Sequence, residues 1–223
     1  MSSAEAAKTS FSSFKRRISL VTVFAALACV GFVLSIVKGS VEIPAAEIWQ
    51  TIAEGAEGVH AQILMNIRLP RTIVAALVGV HLSLSGAILQ AIMKNPLADP
   101  HIIGISSGAG LAGIFVMLVF PGYEALVTPA AFLGAMAAAV AIYLLAWKNG
   151  IRPIRIILAG VAVSAFLGAG ISALMIFYSD RVHGALMWMV GGLSARSWPQ
   201  VDMIFPYTIL GLVLAIAFSR KLN

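Results

Sequence analysis

The sequence predicts an all-α fold, a polytopic bundle of membrane-spanning helices. Hydrophobic residues make up 60% of the 223 residues and charged residues only 11%, with a mean hydropathy of +0.97. A soluble domain carries roughly 25% charged residues. The apolar residues also gather into runs of about 20, the length that a helix needs to cross a bilayer. Because an unpaired backbone group in hydrocarbon is costly, each run is predicted to be helical.

Six runs are long enough, or nearly so, to span: Ile18–Val37, Thr72–Met93, Ile102–Phe120, Ala125–Trp147, Ile156–Tyr178 and Met203–Phe218. The last run is short and contains Pro206, which favours a kink or a tilt. The first run follows three cations at residues 15–17 and lacks a small-residue cleavage site, so a retained span is predicted. Residues 1–17 are predicted to be a cytoplasmic tail, and residues 18–223 to be part of one transmembrane domain.

The charges between the runs predict the orientation. With a cytoplasmic N-terminus, ten cations lie inside: Lys8, Lys15, Arg16, Arg17, Lys94, Lys148, Arg152, Arg155, Arg220 and Lys221. Five lie outside: Lys38, Arg68, Arg71, Arg181 and Arg196. Cytoplasmic loops carry an excess of Lys and Arg. The count therefore predicts a multi-pass protein of the cell membrane whose N-terminus is cytoplasmic.

The two longer outer segments are each predicted to contain a short helix. In "IPAAEIWQTIAEG", Pro44 suits a first turn and Gly55 suits a stop, which predicts an amphipathic helix with Trp49 near the lipid headgroups. The segment "GALMWMVGGL" has ten apolar residues. Ten residues cannot cross a bilayer, so a re-entrant or interfacial helix is predicted there.

The sequence offers no catalytic constellation and no metal site. The single cysteine, Cys29, lies within the first run, and the four histidines are scattered over different segments. Only His81 lies within a span, where it is either a functional group or, as we favour, a hydrogen-bonded packing residue. The chain has no P-loop motif, so an energy source for uphill transport would enter through a partner. Nothing in the sequence predicts a cofactor or a nucleic-acid partner.

Glycines and prolines mark packing sites and a turn. Gly104 and Gly108 have a small-xxx-small spacing that Gly110 extends, which predicts close helix packing. Asn95-Pro96 and Asp99-Pro100 predict a compact cytoplasmic turn between the second and third spans, since a residue before proline is biased away from helix.

Four segments carry a resemblance to a known family: "RLPRTIVAALVG", "LSGAILQAIMKNPLADPHIIGISSGAG", "ILAGVAVS" and "MWMVGGLSARSW". In this order they resemble the permease subunit of iron–siderophore, haem and vitamin B12 ABC importers, the FecCD type. In that family an R-[LI]-P-R stretch precedes span two, and a G-A-x-x-Q-x-x-x-x-N-P-L-A-x-P-x-x-x-G-x-x-x-G-A block follows. The resemblance covers about residues 40–223.

The resemblance implies a subunit of about ten spans that pairs with a second permease subunit, identical or different. Two cytoplasmic ATPase subunits would drive transport, and an extracytoplasmic solute-binding protein would deliver an iron chelate. An iron–siderophore is the favoured cargo, with haem and cobalamin left open. The resemblance also implies that Arg68 and Arg71 receive acidic residues of the binding protein.

Further candidate residues follow from position alone. Ser164, Ser172 and Met175 in the fifth span are predicted to border the pathway. The turn Arg152, Pro153, Ile154 and Arg155 is predicted to lie near an inner constriction.

The given sequence ends at "AFSRKLN" after six spans, whereas family members continue into coupling helices and about four more spans. The whole protein is therefore expected to be longer, or else the chain is a truncated, non-transporting remnant or a membrane scaffold. An integral-membrane enzyme is disfavoured by the lack of catalytic residues.

Overall fold

The computed structural model describes residues 3–55, 57–148, 150, 152–194 and 196–222, and their side-chain surroundings except at 3–14, 102 and 220–222. Within these ranges the regular structure is helical. The α-helices are α1 (Ser3–Val37), α2 (Ala45–Glu54), α3 (Val59–Ile63), α4 (Leu69–Met93), α5 (Ile105–Val119), α6 (Val127–Ala146), α7 (Pro153–Phe177), α8 (Val182–Val190) and α9 (Trp198–Leu222). A π-helix, Leu64–Arg68, joins α3 to α4, and 3₁₀ turns at Pro100–Ile103 and Glu124–Leu126 precede α5 and α6.

The prediction of an all-α membrane bundle is confirmed. Five helical segments among the described residues are long and apolar enough to cross a bilayer, and α5 is a shorter apolar helix of 15 residues. These six coincide with the six predicted runs. The chain is therefore an integral membrane protein.

Four helices begin earlier than their apolar runs, α4 and α7 by three residues and α1 and α9 by more. The helix α1 starts at Ser3, so the described residues of the predicted tail are helical and continuous with the first span. The side chains of Lys8, Arg220 and Lys221, which the charge count uses, lie outside the described set. The helix α9 starts at Trp198 and continues through Pro206 for 25 residues. The sixth span is therefore longer than its apolar run, because Trp198 to Asp202 form helix without being strongly hydrophobic.

The packing divides the chain into two compact units. The first contains residues 1–78 and 193–207, and the second contains residues 79–192 and 208–223. The core of the first unit is formed by four buried aliphatic side chains: Ile36, Ile43, Ile48 and Leu64. These residues hold α2 against the end of α1 and against the π-helix.

The helix α2 lies where its sequence predicts, except that Pro44 stands one position before the first helical residue and not within the first turn. Pro44 is its N-cap, and Gly55 ends it in the left-handed region at φ 67°. The predicted apolar side is divided between two surroundings, since Ile48 is buried whereas Trp49 is 68% exposed and Ile52 is 57% exposed. One part of α2 therefore packs inside the unit, and another leaves an apolar surface uncovered.

The second unit is built on close approach of α5 and α6. A Cβ atom on Gly108 would lie 2.5 Å from the Cβ of Ala138, and one on Gly134 would lie 2.5 Å from the Cβ of Ala112. Real Cβ atoms do not approach so closely, so glycine at both positions is what lets the two backbones touch. Small residues allow such packing where lipid supplies no hydrophobic drive between helices.

The helix α8 is the short helix predicted in the second outer segment. It has nine residues, and Ala185 at its centre is 1% exposed in a cluster with Ile114 and Leu118 of α5. The ring of Trp188 occupies the space beside Gly113, where a Cβ atom would lie 2.7 Å from Cη2. The helix α8 therefore packs along α5.

Candidate functional site

Arg68 lies at the last position of the π-helix and is 7% exposed. Its Nη1 atom donates to the carbonyl oxygens of Ile36 and Val37, each at 2.9 Å, and its Nη2 atom donates to the carbonyl oxygen of Val41. Ile36 and Val37 form the end of α1, where the last carbonyl groups have no partner within the helix. Arg68 therefore caps α1 with a charge that suits the negative end of the helix dipole.

Hydroxyl groups extend this arrangement by one turn. The Thr72 Oγ1 atom donates to the carbonyl oxygen of Arg68 at 2.8 Å, and it lies 2.8 Å from the Ser35 Oγ atom. Thr72 is buried, at 4% exposure. Side chains on α1 and α4 therefore meet through a continuous hydrogen-bonded network.

Gly39 completes the surroundings of Arg68. A Cβ atom at this position would lie 2.7 Å from Nη2 and 2.8 Å from Cζ of Arg68. The guanidinium group thus occupies space that only a residue without a side chain leaves open. We refer to Arg68, Gly39, Ser35, Thr72 and the carbonyl groups of residues 36, 37 and 41 as the Arg68 clasp.

Arg71, three residues further on, has different surroundings. It is exposed, and among the described residues it has neither a hydrogen-bonding partner nor an ion pair. It lies in the first turn of α4, which continues the helix of the preceding residues, so no free helix N-terminus lies beside it. The structure thus leaves Arg71 available to another molecule and occupies Arg68 within the chain.

The three candidate pathway residues of α7 do not share one surface. The Ser164 Oγ atom donates to the Gly160 carbonyl oxygen at 2.8 Å and lies against Gly104. Met175 packs on the cluster formed with α5 and α8. Ser172 is exposed and donates to the Gly168 carbonyl oxygen at 3.1 Å. Ser172 is thus the candidate that is open to a pathway.

Gly104 explains the tight packing around Ser164. It has a φ of 85°, in the left-handed region, and a Cβ atom there would lie 2.8 Å from the Gly160 carbonyl oxygen. Gly110 also lies close to α7, since a Cβ atom on it would lie 3.3 Å from the Cδ1 atom of Ile171. These glycines are therefore packing positions between α5, its preceding turn and α7.

The turn before α5 is ordered by local hydrogen bonds. The Asn95 Oδ1 atom accepts from the Leu97 amide at 2.9 Å, and the Asp99 Oδ1 atom accepts from the His101 amide at 2.7 Å. Asp99 is the N-cap and Pro100 the first residue of the 3₁₀ turn, while the Pro96 carbonyl accepts from Gln90. Asn and Asp side chains stabilise turns in this way.

The residues predicted to lie near an inner constriction, Arg152 to Arg155, form the start of α7. Arg152 is the N-cap, and Pro153 follows as the first helical residue. Ile154 is 59% exposed, and the Arg155 Nη1 atom donates to the Lys148 carbonyl oxygen. Arg152 and Ile154 are therefore directed away from the helices of their own unit.

A groove between α5, α6 and α7 has a volume of about 1020 Å³. Its lining consists only of Gly, Ala, Val, Leu and Phe residues. Sites that bind small polar molecules need a few placed polar groups. This groove therefore lacks the chemistry to recognise a charged chelate.

His81 has the surroundings of a packing residue. Its Nε2 atom lies 2.8 Å from the Oγ1 atom of Thr208, which is 5% exposed. Among the described residues no group of three or more His, Cys, Asp or Glu side chains could hold a metal ion.

Sequence reasoning paired Arg68 with Arg71 and did not find the clasp. The signal was present but weak: a glycine, Gly39, two residues after the end of an apolar run, and an arginine followed four residues later by Thr72. Neither feature shows which of two neighbouring arginines is buried, because that depends on the π-helix.

Comparison with known proteins gives a consistent result. A family model described as the FecCD transport family matches residues 27–223. The chain is 36% identical over 211 residues to the Fe(3+)-citrate import system permease protein YfmE of Bacillus subtilis, covering 94% of this chain and 63% of that protein. It is 39% identical over 166 residues to the cobalamin import system permease protein BtuC of Halobacterium salinarum, covering 73% and 45%.

Two further matches agree. The Fe(3+) dicitrate transport system permease protein FecD of Escherichia coli is 35% identical over 209 residues, covering 93% of this chain and 64% of that protein. A solved structure of a metal-chelate type ABC transporter in an inward-facing conformation matches with a TM-score of 0.76 and 25% identity, covering 92% and 63%. The chain thus spans less than two thirds of the length of each of these proteins.

Proposed function

This chain belongs to the FecCD transport family, and from that premise we propose that it acts as a permease subunit of an ATP-driven importer. The family match over residues 27–223 carries this proposal. Among the described residues, five apolar helices within the matched region and a sixth that overlaps its start give it the membrane-embedded body that such a subunit needs. The chain carries no P-loop, so ATP hydrolysis would take place in a partner.

The proposed cargo is an iron chelate, with an iron–siderophore favoured. YfmE and FecD, which match more than nine tenths of this chain, are both named for iron citrate. The relative named for cobalamin has higher identity over a shorter match. Cobalamin and haem are therefore the competing cargoes to test.

The proposed assembly contains a second permease subunit, two cytoplasmic ATPase subunits and an extracytoplasmic binding protein. Docking of the binding protein is proposed to use Arg71, which is exposed and has no hydrogen-bonding or ion-pair partner in the described part of the chain. A guanidinium group suits this role because it offers a planar fork of donors to a carboxylate and keeps its charge.

The pathway is proposed to run past the exposed side of α7. Ser172 and the large apolar residue Ile176 are uncovered there, with Ile176 at 74% exposure. The residues Arg152 to Arg155 are proposed to lie at the inner end of the same helix, which begins at Pro153.

Uptake of labelled compounds tests the proposed function. A strain that lacks this gene should lose uptake of ⁵⁵Fe bound to citrate or to a siderophore and should keep uptake of labelled cobalamin and haem. Restoring the gene should restore iron uptake. Loss of cobalamin or haem uptake alone would replace the proposed cargo, and unchanged uptake of all four compounds would overturn the proposed function.

A further inference from the structure

The Arg68 clasp joins the end of α1 to the start of α4 through hydrogen bonds of side chains. From Lys15 to Ser35 every residue of α1 is exposed within the chain. At Ile36 the surroundings change abruptly, since this side chain is 9% exposed and packs on Ile43, Ile48 and Leu64. The end of α1 is thus the place where this long helix is held by its own subunit.

Arg68 supplies the polar part of that attachment. A buried guanidinium group needs acceptors for its donors, and here three carbonyl oxygens provide them. Two belong to α1 and the third, at Val41, belongs to the segment that leads to α2. Arg68 follows α2 and α3 in the sequence, yet its side chain binds both the end of α1 and the segment that comes after it.

Arg68 is therefore less open than Arg71 to a direct ionic contact with another protein. A carboxylate that approached its Nη1 atom would have to replace the carbonyl oxygens of Ile36 and Val37, which already accept from that atom. The space beside Gly39, through which the guanidinium group passes, is filled by the group itself. Arg71 has neither restriction.

We propose that Arg68 fastens the end of α1 to the start of α4, so that the two move as one body in the transport cycle. The clasp consists of contacts within this chain and does not depend on what the protein does, whereas the movement as one body rests on the proposed function. The clasp and the movement are tested by different measurements, so that their failures can be told apart.

The clasp is tested by cross-linking in native membranes. In a Cys29→Ser background, cysteines replace Ser35 and Thr72, whose hydroxyl oxygens lie 2.8 Å apart. Sulfur atoms placed there are within reach of a disulfide bond of about 2.05 Å. Mild oxidation should cross-link this pair rapidly, and protease cleavage between residues 38 and 44 makes the bond visible on a gel.

Two variants should loosen the clasp by different routes. Arg68→Lys keeps the charge but loses the fork of donors, and Gly39→Ala keeps Arg68 but places a Cβ atom in its path. Each should slow cross-linking roughly tenfold, because hydrogen bonds to a charged group are among the stronger ones. Gly31→Ala, whose Cβ would meet nothing within 4 Å, should leave the rate unchanged.

A double variant keeps the proposal open to refutation even if single variants fold poorly. In an Arg68→Gln background, Gly39→Ala should have little further effect, because the group that it displaces is gone. Non-additivity of this kind is expected only for residues in direct contact. Equal effects of Gly39→Ala with and without Arg68, or unchanged cross-linking in Arg68→Lys, would overturn the clasp.

Uptake of ⁵⁵Fe-citrate or a ⁵⁵Fe-siderophore by the cross-linked protein tests the common movement. The cysteine pair in its reduced form shows whether the proposed function holds at all. If it does, oxidation should leave the uptake rate within about twofold, since a bond between parts that do not separate costs nothing in the cycle. Uptake that stops on oxidation and returns on reduction would show that α1 and α4 separate.

Discussion

Two of the arginines that are predicted to lie outside bind the carbonyl ends of helices. Arg68 binds the last carbonyl groups of α1, and the Arg181 Nη1 atom lies 3.5 Å from the Leu118 carbonyl oxygen near the end of α5. Helix C-termini favour cations because of their dipole. Two of the five cations predicted to lie outside are thus placed by helix ends, and Arg71 is not.

Arg71 gives the first prediction at this scale. Arg71→Glu should weaken docking of the cognate binding protein at least tenfold and reduce the salt dependence of the affinity, because surface ionic contacts are screened by salt. Titration at several salt concentrations in detergent measures both. Arg196→Glu is the matched control, an exchange of the same charge in another outer segment. Docking that is unchanged and insensitive to salt in Arg71→Glu would contradict the role.

Ser164 and Ser172 give a matched pair. Ser164→Leu should destabilise the protein by about 1–3 kcal/mol, because it overpacks the space against Gly104 and Gly160. Ser172→Leu, on an exposed position, should change stability by less than about 0.5 kcal/mol.

The readouts separate packing from transport. Thermal unfolding in detergent measures the first effect, and iron-chelate uptake at equal membrane content measures the second. Ser172→Leu should lower uptake severalfold if this side of α7 borders the pathway. Normal uptake by Ser172→Leu would remove Ser172 from the pathway.

At the scale of elements, α2 is a helix that its own unit covers only in part. Ile48 and Thr51 are buried, whereas Trp49 and Ile52 remain uncovered beside the end of a membrane span. Tryptophan is enriched at the membrane interface. We therefore expect α2 to rest at the interface with Trp49 among the headgroups.

Spin labels test this placement. In a Cys29→Ser background, a label at Trp49→Cys should be accessible to oxygen and shielded from a water-soluble nickel chelate. A label at Glu54→Cys, about 140° away around the helix, should show the reverse. Equal exposure of both labels to the nickel chelate would place α2 in water.

The elements also show what sequence can and cannot predict. Pro44 and Gly55 allowed the two ends of α2 to be predicted to within one residue, because their backbone preferences act locally. The start of α9 at Trp198 was missed, since hydropathy marks where a helix meets lipid and not where its hydrogen bonds begin. The π-helix before Arg68 has no simple sequence signal, so the burial of Arg68 could not be predicted.

At the scale of the whole molecule, the fold class followed from composition because a bilayer allows few structures. The six spans were predictable for the same reason. Which faces of the helices are covered was not, because that depends on close approaches such as Gly108 to Gly134, which join residues remote in sequence.

Orientation is a prediction that belongs to this scale. In a Cys29→Ser background, a cysteine at Glu57 should react with a membrane-impermeant maleimide in intact cells. A cysteine at Lys148 should react only after the membrane is opened. Both residues are exposed, so access alone decides the reaction. The reverse pattern would place the N-terminus outside.

The Arg68 clasp has a consequence for the order in which the chain is made. The carbonyl groups of Ile36 and Val37 leave the ribosome 32 and 31 residues before Arg68 does. The first span therefore enters the bilayer with the end of its last turn exposed to water, and the side chain that closes it arrives only with the second span. Completion of the first helix is thus an event in the insertion of the next one.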